Sequence, residues 1–438
     1  MGRVSYIADK LSNLVSNLGT SRDKASHTTY GAAFFTDEEL INAYRYGWLP
    51  RKIVDIPALD ACRNWRNWQA EADQITAIES LETDLGLQAK VISALTKARL
   101  FGGAAIYIGT GDTNIAQPMR ESAQIRHLTV LTRRQLTAGD MDIDPESPRY
   151  GLPGSYQLAG SKLQQDVHPS RLVIFTGNPF PDEELITGPE YGWGDSVLNA
   201  TMEAIKQADG TAANIASLVF EAKVDVVKIP ELMQRLSSDP QFETQVINRL
   251  TLAAQQKGIN GMLMLDKEEE YNQKSANFSS LRDILMAFMQ IVSGAADIPM
   301  TRLLGQSPGG LQASGDSDIR NYYDRIKAMQ TLDIGPAMRG LDDLIIRNAL
   351  GSRPPEVWYH WDGLWQPDAK EEADIAEKTA STIEKLAKTR LIPEDALSEA
   401  AVNMLTEKGI MPGLEQAVSD IETPDIVERG AEDGRQTA

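Results

Sequence analysis

Two short histidine triplets are the residues of this sequence whose types and spacing could support catalysis. His127-Leu-Thr129 and His168-Pro-Ser170 both follow the pattern His-x-Ser/Thr, and each lies beside a strand-like run. Two such triplets that face each other across a cleft could supply a general base and a general acid for phosphoester cleavage. Only 41 residues separate them, and Pro169 favours a turn at the second triplet. A two-histidine phosphoesterase is therefore the alternative to a role without catalysis.

Other patterns that would support catalysis or ligand binding are incomplete. Residues 310–317, GLQASGDS, have the glycine spacing of a phosphate-binding loop but carry Asp where that loop needs lysine. The four histidines and one cysteine form no zinc-binding motif. The acidic run at 266–270, DKEEE, is more typical of a solvated turn than of a cation site. We therefore predict no cofactor, no metal and no enzymatic activity.

The composition is that of a folded and strongly acidic protein. The 438 residues are 42% hydrophobic and carry 62 acidic against 43 basic side chains, a net charge of −19. A protein that binds DNA tightly through counterion release needs the opposite balance. No apolar run reaches the roughly 18 residues that span a bilayer, and the single Cys62 cannot form an intramolecular disulfide. The sequence therefore argues against tight general DNA binding and predicts a reducing compartment and no membrane partner.

Hydrophobic periodicity in the first half predicts an α+β fold in which helices predominate. Thr36 and the acidic residues after it predict the start of a helix. The alternating Trp and Arg residues of 48–68 could stack on nucleobases, but such a pattern is more typical of a domain or subunit interface. Strand-like runs then predict a small β-rich layer on a helical base. These runs are 101–112, 127–136, 151–160 and 168–177.

A pair of long helices with a small insert between them is predicted in the second half. The first helix covers 193–222, and the second covers 278–298 and ends before a proline. In the insert, 223–230 and 259–266 are strand-like and lie on either side of a helix. The insert is predicted to close at an acidic turn, 267–273.

A loop rich in Gly, Ser and Gln follows this pair of helices. It lies in the stretch DIPMTRLLGQSPGGLQASGDSDIRNYYDR, where Asp316 or Ser317 could cap the next helix. That helix is predicted to kink at Gly335-Pro336, because proline lacks a backbone donor and clashes with the preceding turn. Residues 366–438 carry 17 acidic and 8 basic side chains. They predict two further helices and an acidic, disordered tail.

Several of these stretches resemble the portal proteins of tailed double-stranded DNA bacteriophages. The resemblance covers about residues 30–410 and is carried by Arg63-Asn64-Trp65, VHPSRLVIFTG, YGWGDSVL and, above all, IPMTRLLGQSPGGLQASGDSDIRNYYDRI. The sequence most resembles the subgroup that also carries an anti-CBASS-type label. That label is consistent with the alternative reading, a two-histidine phosphoesterase that acts on cyclic nucleotides.

The resemblance implies a portal fold, with a wing, a two-helix stem, an α/β clip between the stem helices, a tunnel loop and a kinked tunnel helix. In this sequence the parts would be the N-terminal wing with its β-rich layer at 1–193, the first stem helix at 194–222, the clip at 223–278, the second stem helix at 279–298, the tunnel loop at 299–317, the tunnel helix at 318–350, the C-terminal wing or crown at 351–410 and the acidic tail at 411–438.

The resemblance also implies a function in virus assembly. The chain would form a ring, expected to contain twelve copies, at a single capsid vertex of the virion, after assembly in the host bacterial cytoplasm. Double-stranded DNA would pass through the ring during packaging and ejection. The expected partners are further copies of the chain, the major capsid and scaffold proteins, the terminase, a head-tail adaptor and, transiently and without sequence preference, double-stranded DNA.

A channel that moves DNA should not hold it, so small neutral side chains suit the lining. The arginines that flank the loop are candidate phosphate contacts, although pairing with Asp316, Asp318 and Asp324 is the simpler interpretation. The candidate lining residues are Gln306, Ser307, Gly309, Gly310, Gln312 and Ser314, and the candidate phosphate contacts are Arg302, Arg320 and Arg325.

Overall fold

The computed structural model divides into two compact units, Met1–Leu364 and Trp365–Ala438, which are described separately. In the described part of the chain, no helix combines the length and the apolar character needed to cross a membrane. The structure describes residues 35–147, 149–159, 165–181, 191–220, 223–228, 240–256, 270–275, 280–305, 315–365, 369–389, 392–407 and 418.

Helices form the first part of the larger unit. The predicted helix start is confirmed, because the Thr36 side chain accepts the Glu39 amide (3.3 Å) while the Glu39 carboxylate accepts the Thr36 amide (2.8 Å). A helix over 48–63 was not predicted, and it contains a proline, Pro57, that is buried in the core. The elements are α1 Asp37–Tyr46, α2 Trp48–Arg63, β1 Arg66–Gln69, α3 Ala72–Leu85 and α4 Leu87–Phe101.

Two small antiparallel sheets follow, in the region predicted to be rich in strands. The first sheet has the strand order β3-β2-β7 and the second has β4-β5-β6. The strands are β2 Gly103–Gly109, β3 His127–Thr132, β4 Leu136–Ala138, β5 Tyr156–Leu158, β6 Asp166–Val167 and β7 Leu172–Thr176.

Strand β2 is buried on both faces, which explains its almost uninterrupted apolar sequence. Ala104, Ile106 and Ile108 belong to the main core, where β2 packs on α4. Ala105 belongs to a second apolar cluster that includes Trp193. Alternate residues of a strand point to opposite faces, so one strand contributes to both cores.

A helical hairpin with an inserted module forms the next part. Helix α5 packs along α7, and the strands β8 and β9 pair antiparallel with Lys228 opposite Glu270. The predicted acidic turn at 267–273 is therefore wrong over 270–273, which belong to the strand Glu270–Ser275. The predicted strand 259–266 lies outside the described residues. The elements are α5 Val197–Phe220, β8 Lys223–Lys228, α6 Pro240–Gln256, β9 Glu270–Ser275 and α7 Leu281–Ala296.

The long helix predicted for 318–350 is interrupted by a π-helical turn, Gln330–Ile334, in which the Gly335 amide donates to the Gln330 carbonyl. The interruption thus lies before the predicted Gly335-Pro336 kink. The wider π-helical turn accommodates Pro336, which has no backbone N–H to donate. The preceding helix begins after Gly315, whose φ of 73° suits glycine, so neither Asp316 nor Ser317 is its N-cap. The helices are α8 Met300–Leu304, α9 Asp316–Met329 and α10 Gly335–Leu350.

A two-stranded sheet and a separate helical pair complete the described chain. Strand β10, Trp358–Trp361, pairs antiparallel with β1, which lies almost 300 residues earlier. In the second unit, α11 (Ala369–Thr389) packs against α12 (Glu394–Glu407). The predicted tail, 411–438, lies outside the described residues apart from residue 418.

Candidate functional site

Helix α2 contacts the helices on both sides of segment 306–314, the stretch predicted to face DNA. Before the segment, Lys52 Nζ donates to the Leu303 carbonyl (2.7 Å). After it, Gln330 Nε2 donates to the Ala61 carbonyl (2.8 Å) in the last turn of α2. The helices that flank the segment, α8 and α9, also both pack on α2. One helix therefore fixes the position of both flanks.

Asp60 is the central residue of this arrangement. Its side chain has no solvent exposure. It accepts two hydrogen bonds from Arg302, Nε to Oδ2 at 2.9 Å and Nη2 to Oδ1 at 2.7 Å, and one from the Tyr322 hydroxyl at 3.0 Å. Hydrogen bonding to Asp60 raises the pKa of Arg302, and burial, reinforced by the Asp60 charge, raises the pKa of Tyr322. Arg302 and Tyr322 therefore keep the protons that they donate to Asp60 across the neutral pH range.

Arg63 makes a second link from the same helix. Its Nη2 donates to the Tyr323 hydroxyl (3.0 Å) and to the Leu364 carbonyl (2.6 Å), and its guanidinium lies 5.2 Å from the centre of the Tyr323 ring. Neighbouring tyrosines of α9 are therefore bound by two charged residues of α2. These contacts were not predicted from the sequence.

The predicted DNA-facing residues are only partly within the described chain. Arg302 binds Asp60, and Arg325 forms an ion pair with Asp297 and donates to the Asp297 carbonyl (3.2 Å). These aspartates differ from the sequence-adjacent ones suggested as partners. Arg320 has an exposed side chain. The residues that lie outside the described chain are Gln306, Ser307, Gly309, Gly310, Gln312 and Ser314.

Of the Trp residues in 48–68, Trp65 and Trp68 lie against Arg66, whereas Trp48 is half exposed. Arg66 donates to Glu82 Oε1 from Nε (2.9 Å) and Nη2 (2.5 Å), and to Asp342 Oδ1 from Nη1 (2.5 Å). Its guanidinium lies 4.9 Å from the Trp68 ring and 4.6 Å from the Tyr359 ring. Burial lowers the pKa of Arg66, but the charges of Asp342 and Glu82 outweigh burial and raise it. Because Arg66 and Trp68 are buried, they cannot stack on a nucleobase.

The two histidine triplets lie in different settings. His127 and Thr129 are exposed on β3 of the first sheet, and the His127 ring lies 6.3 Å from the Tyr107 ring. His168 follows β6 of the second sheet and caps a 3₁₀ turn, with its Nδ1 2.9 Å from Ser170 Oγ and accepting the Ser170 amide (3.1 Å). Ser170 Oγ also accepts the Met119 amide (2.8 Å).

These contacts give His168 and Ser170 a local structural role. Burial lowers the pKa of His168, and the charges of Arg149 and Arg171 lower it further. The second triplet thus forms a turn, as Pro169 suggested, and it does not lie on a strand paired with β3.

The described residues contain no group of three or more His, Cys, Asp and Glu side chains that could hold a metal ion. Cys62 is buried in the core, and burial raises the pKa of its thiol to about 12. A thiol with so high a pKa is a poor nucleophile and metal ligand.

The chain has an α+β fold in which helices predominate, and comparison with known proteins identifies its family. A family model described as phage portal protein matches residues 38–385. The chain therefore belongs to the phage portal protein family.

Individual proteins are also similar to this chain. The chain is 39% identical over 432 residues to a protein of Caulobacter sp. (strain RHG1) named anti-CBASS protein Acb1, covering 94% of this chain and 68% of that protein. It is 36% identical to a protein of the same name from Sphingomonas paeninsulae, covering 96% and 69% respectively. Among solved structures, it resembles a chain in the neck of a native GTA particle computed with C12 symmetry, with a TM-score of 0.50, 12% identity and coverage of 83% of this chain and 92% of that chain. At that identity the match shows a shared fold.

Proposed function

We propose that this chain is the subunit of a ring-shaped channel at one capsid vertex, through which double-stranded DNA is packaged and later ejected. Membership of the portal family over residues 38–385 supports the proposal. The fold shared with a chain of a C12-symmetric particle neck supports a closed ring and makes twelve the expected number of copies. The virion is the expected location, after assembly in the bacterial cytoplasm.

The observation that carries the proposal is the helical hairpin. Helix α5 has 24 residues and would extend about 36 Å at 1.5 Å per residue. It packs along α7, and the paired strands β8 and β9 lie between the two helices in the chain. We assign 1–193 to the N-terminal wing, α5 and α7 to the stem, the β8–β9 module to the clip, 299–317 to the tunnel loop, and α9 and α10 to the tunnel helix. The second unit belongs to the C-terminal wing or crown.

The electrostatic balance suits a channel that lets DNA slide. The 62 acidic side chains outnumber the 43 basic ones, so the protein repels phosphates overall and contacts with DNA are expected to be weak and independent of sequence. Segment 306–314 contributes Gln, Ser, Gly and Leu side chains without charge. In this proposal the segment is the tunnel loop and forms the lining. Terminase and the head-tail adaptor dock on the clip, while capsid and scaffold proteins contact the wing.

We propose that this chain has no enzymatic activity of its own, although two relatives carry an anti-CBASS name. About a third of each of those proteins lies outside the matched region. In this chain, Ser170 is engaged by His168 and by the Met119 amide. A phosphodiester hydrolysis assay on the purified protein, beside His127→Ala, tests this directly. Hydrolysis that depends on His127 would favour the phosphoesterase.

Size-exclusion chromatography with negative-stain electron microscopy tests for the ring. Top views with about twelve-fold symmetry are expected from the purified protein or from head precursors. A protein that stays monomeric under all these conditions, head precursors included, would contradict the proposal.

A second test concerns the loop. Replacing Gly309 and Gly310 together with Val should stall packaging without preventing ring assembly, because β-branched side chains restrict a backbone that glycine leaves free. The matched control is Gly210→Ala in α5, where an added Cβ meets nothing within 4 Å. Unchanged packaging by the double variant would argue against a lining role for the segment.

A further inference from the structure

Asp60 joins two points of the chain that lie on opposite sides of segment 306–314. Arg302 belongs to α8, before the segment, and Tyr322 belongs to α9, after it. Both donate to the same carboxylate oxygen, Oδ2, at 2.9 and 3.0 Å. A single fully buried side chain therefore sets the spacing between the two helices from which the segment departs.

The rest of α2 reinforces this link. Lys52 holds α8 through the Leu303 carbonyl, and Arg63 holds α9 through the Tyr323 hydroxyl. Fixing the ends of a short segment removes many of the conformations that it could otherwise adopt.

The geometry at Arg302 also bears on its role. Two of its nitrogens bind Asp60 in the bidentate arrangement, the strongest form of such contacts, and its side chain is 34% exposed. A guanidinium that leaves Asp60 for a phosphate would break both of these hydrogen bonds and leave the buried carboxylate with Arg63, 3.7 Å away, as its nearest cation. Arg302 is therefore poorly placed to exchange partners with passing DNA.

We infer that Asp60 is a positioning residue that fixes both ends of segment 306–314 through Arg302 and Tyr322, and that Arg302 is an anchor of this cluster and not a phosphate contact. The inference about the ends of the segment depends only on the contacts described. Its meaning for DNA movement rests on the proposed function.

Hydrogen–deuterium exchange of the full-length protein tests the first part. Tyr322→Phe removes one hydroxyl, and Arg302→Lys keeps the charge but loses the planar fork. Each should speed amide exchange in α8 and in the first turns of α9 by about tenfold, the factor expected for a lost hydrogen bond to a charged group. Asp60→Asn should have a larger effect. If it does not fold, the two milder variants still decide the question.

Arg325→Gln is the matched control for exchange, because it removes an arginine of the same region whose ion pair with Asp297 is exposed on both sides. It should change exchange in α8 by less than about twofold. The inference is overturned if Tyr322→Phe and Arg302→Lys also stay within about twofold of the unmodified protein.

A packaging assay separates an anchor from a phosphate contact. If Arg302 is an anchor, Arg302→Lys should package as poorly as Arg302→Gln, because neither restores the fork. If it binds phosphate, lysine should rescue packaging, and the defect of the Gln variant should depend on salt. Rescue of packaging by lysine would overturn the inference that Arg302 is an anchor and not a phosphate contact. If the unmodified protein forms no ring, the proposed function fails, but the exchange result remains interpretable on the monomer.

Discussion

The Arg66 cluster and the Asp60 cluster both pair arginine with carboxylate, and they differ in which partner is enclosed. At Arg66 the cation has no exposure and the carboxylates of Glu82 and Asp342 are only 8% and 9% exposed. At Asp60 the acid is fully buried and its arginine is 34% exposed. The Arg66 cluster is closed on all sides, whereas the Asp60 cluster opens toward solvent through Arg302.

The difference shows what each cluster can do. The Arg66 cluster joins β1, α3 and α10, and the Trp65 and Trp68 indoles also donate to Glu82 (2.9 and 3.1 Å). Apart from Trp65, each of these partners belongs to a helix or a strand, so this cluster stabilises the body of the unit. The Asp60 cluster joins one helix to the two flanks of a glycine-rich segment. Its loss should therefore increase local opening of these flanks more than it lowers the free energy of global unfolding.

Arg66→Met should produce the largest effect, because it leaves two buried carboxylates without their cation. We expect the free energy of unfolding to fall by about 3–5 kcal/mol, measured by urea denaturation. Arg353→Ala is the control, since its ion pair with Asp343 is partly exposed and should contribute at most about 1 kcal/mol. A loss for Arg66→Met as small as that of the control would show that the closed cluster does not stabilise the unit.

Asp60→Asn should have a smaller global effect and thus sharpen the contrast. Asparagine can still accept one hydrogen bond, and Arg302 can be hydrated because it is partly exposed, so we expect a loss of about 1–3 kcal/mol. The measurement is the same urea titration, with Tyr322→Phe as the milder companion. A loss equal to that of Arg66→Met would mean that the two clusters have the same structural role.

Local signals in the sequence predicted much of the fold. The cap at Thr36, the apolar run of β2 and the two long helices of the hairpin follow from residues a few positions apart. The family resemblance was also confirmed. Helix α2 was missed because Pro57 argues against a helix and tertiary burial overrides it.

The two polar clusters could not be predicted, because their partners are remote in sequence. Arg302 is 242 residues from Asp60, and Asp342 is 276 residues from Arg66. The only local signal for Asp60 is a carboxylate inside the apolar run IPALDAC. For Arg66 the signal was its place between two tryptophans. That pattern predicted an interface and did not identify the carboxylates that Arg66 binds.

Gln330 lies at the π-helical turn and binds α2 beside the Asp60 cluster. Its Nε2 satisfies the Ala61 carbonyl, one of the carbonyls that a helix end leaves without a partner, while its buried Oε1 has no hydrogen-bond partner in the described structure. Gln330→Met keeps the volume, loses the first contact and removes the unpaired oxygen. We therefore expect a loss of only about 1 kcal/mol in urea denaturation. A loss above that of Asp60→Asn would place the main link between α2 and α9 at Gln330.

A third pair reverses the Asp60 arrangement, since Arg171 is buried and its partner Asp112 is about one-third exposed. Hydrogen bonds from Arg171 Nη2 and the Thr110 hydroxyl, both at 2.8 Å, hold the pKa of Asp112 below its usual range. A depressed folded-state pKa contributes stability above the unfolded value, near 3.9, and this contribution is lost as pH falls through the folded value.

Asp112→Asn should therefore destabilise the protein at pH 7, and the difference from the unmodified protein should shrink as the pH falls below about 4. Urea titrations at several pH values measure this difference, with Asp343→Asn as a control at another exposed ion pair. We expect the smallest effect of the series here, because solvent screens the exposed carboxylate. A difference that stays constant between pH 7 and pH 3 would mean that Asp112 acts through packing and not through its charge. Asp112 would then differ from Asp60 in burial and also in acting through packing instead of through charge.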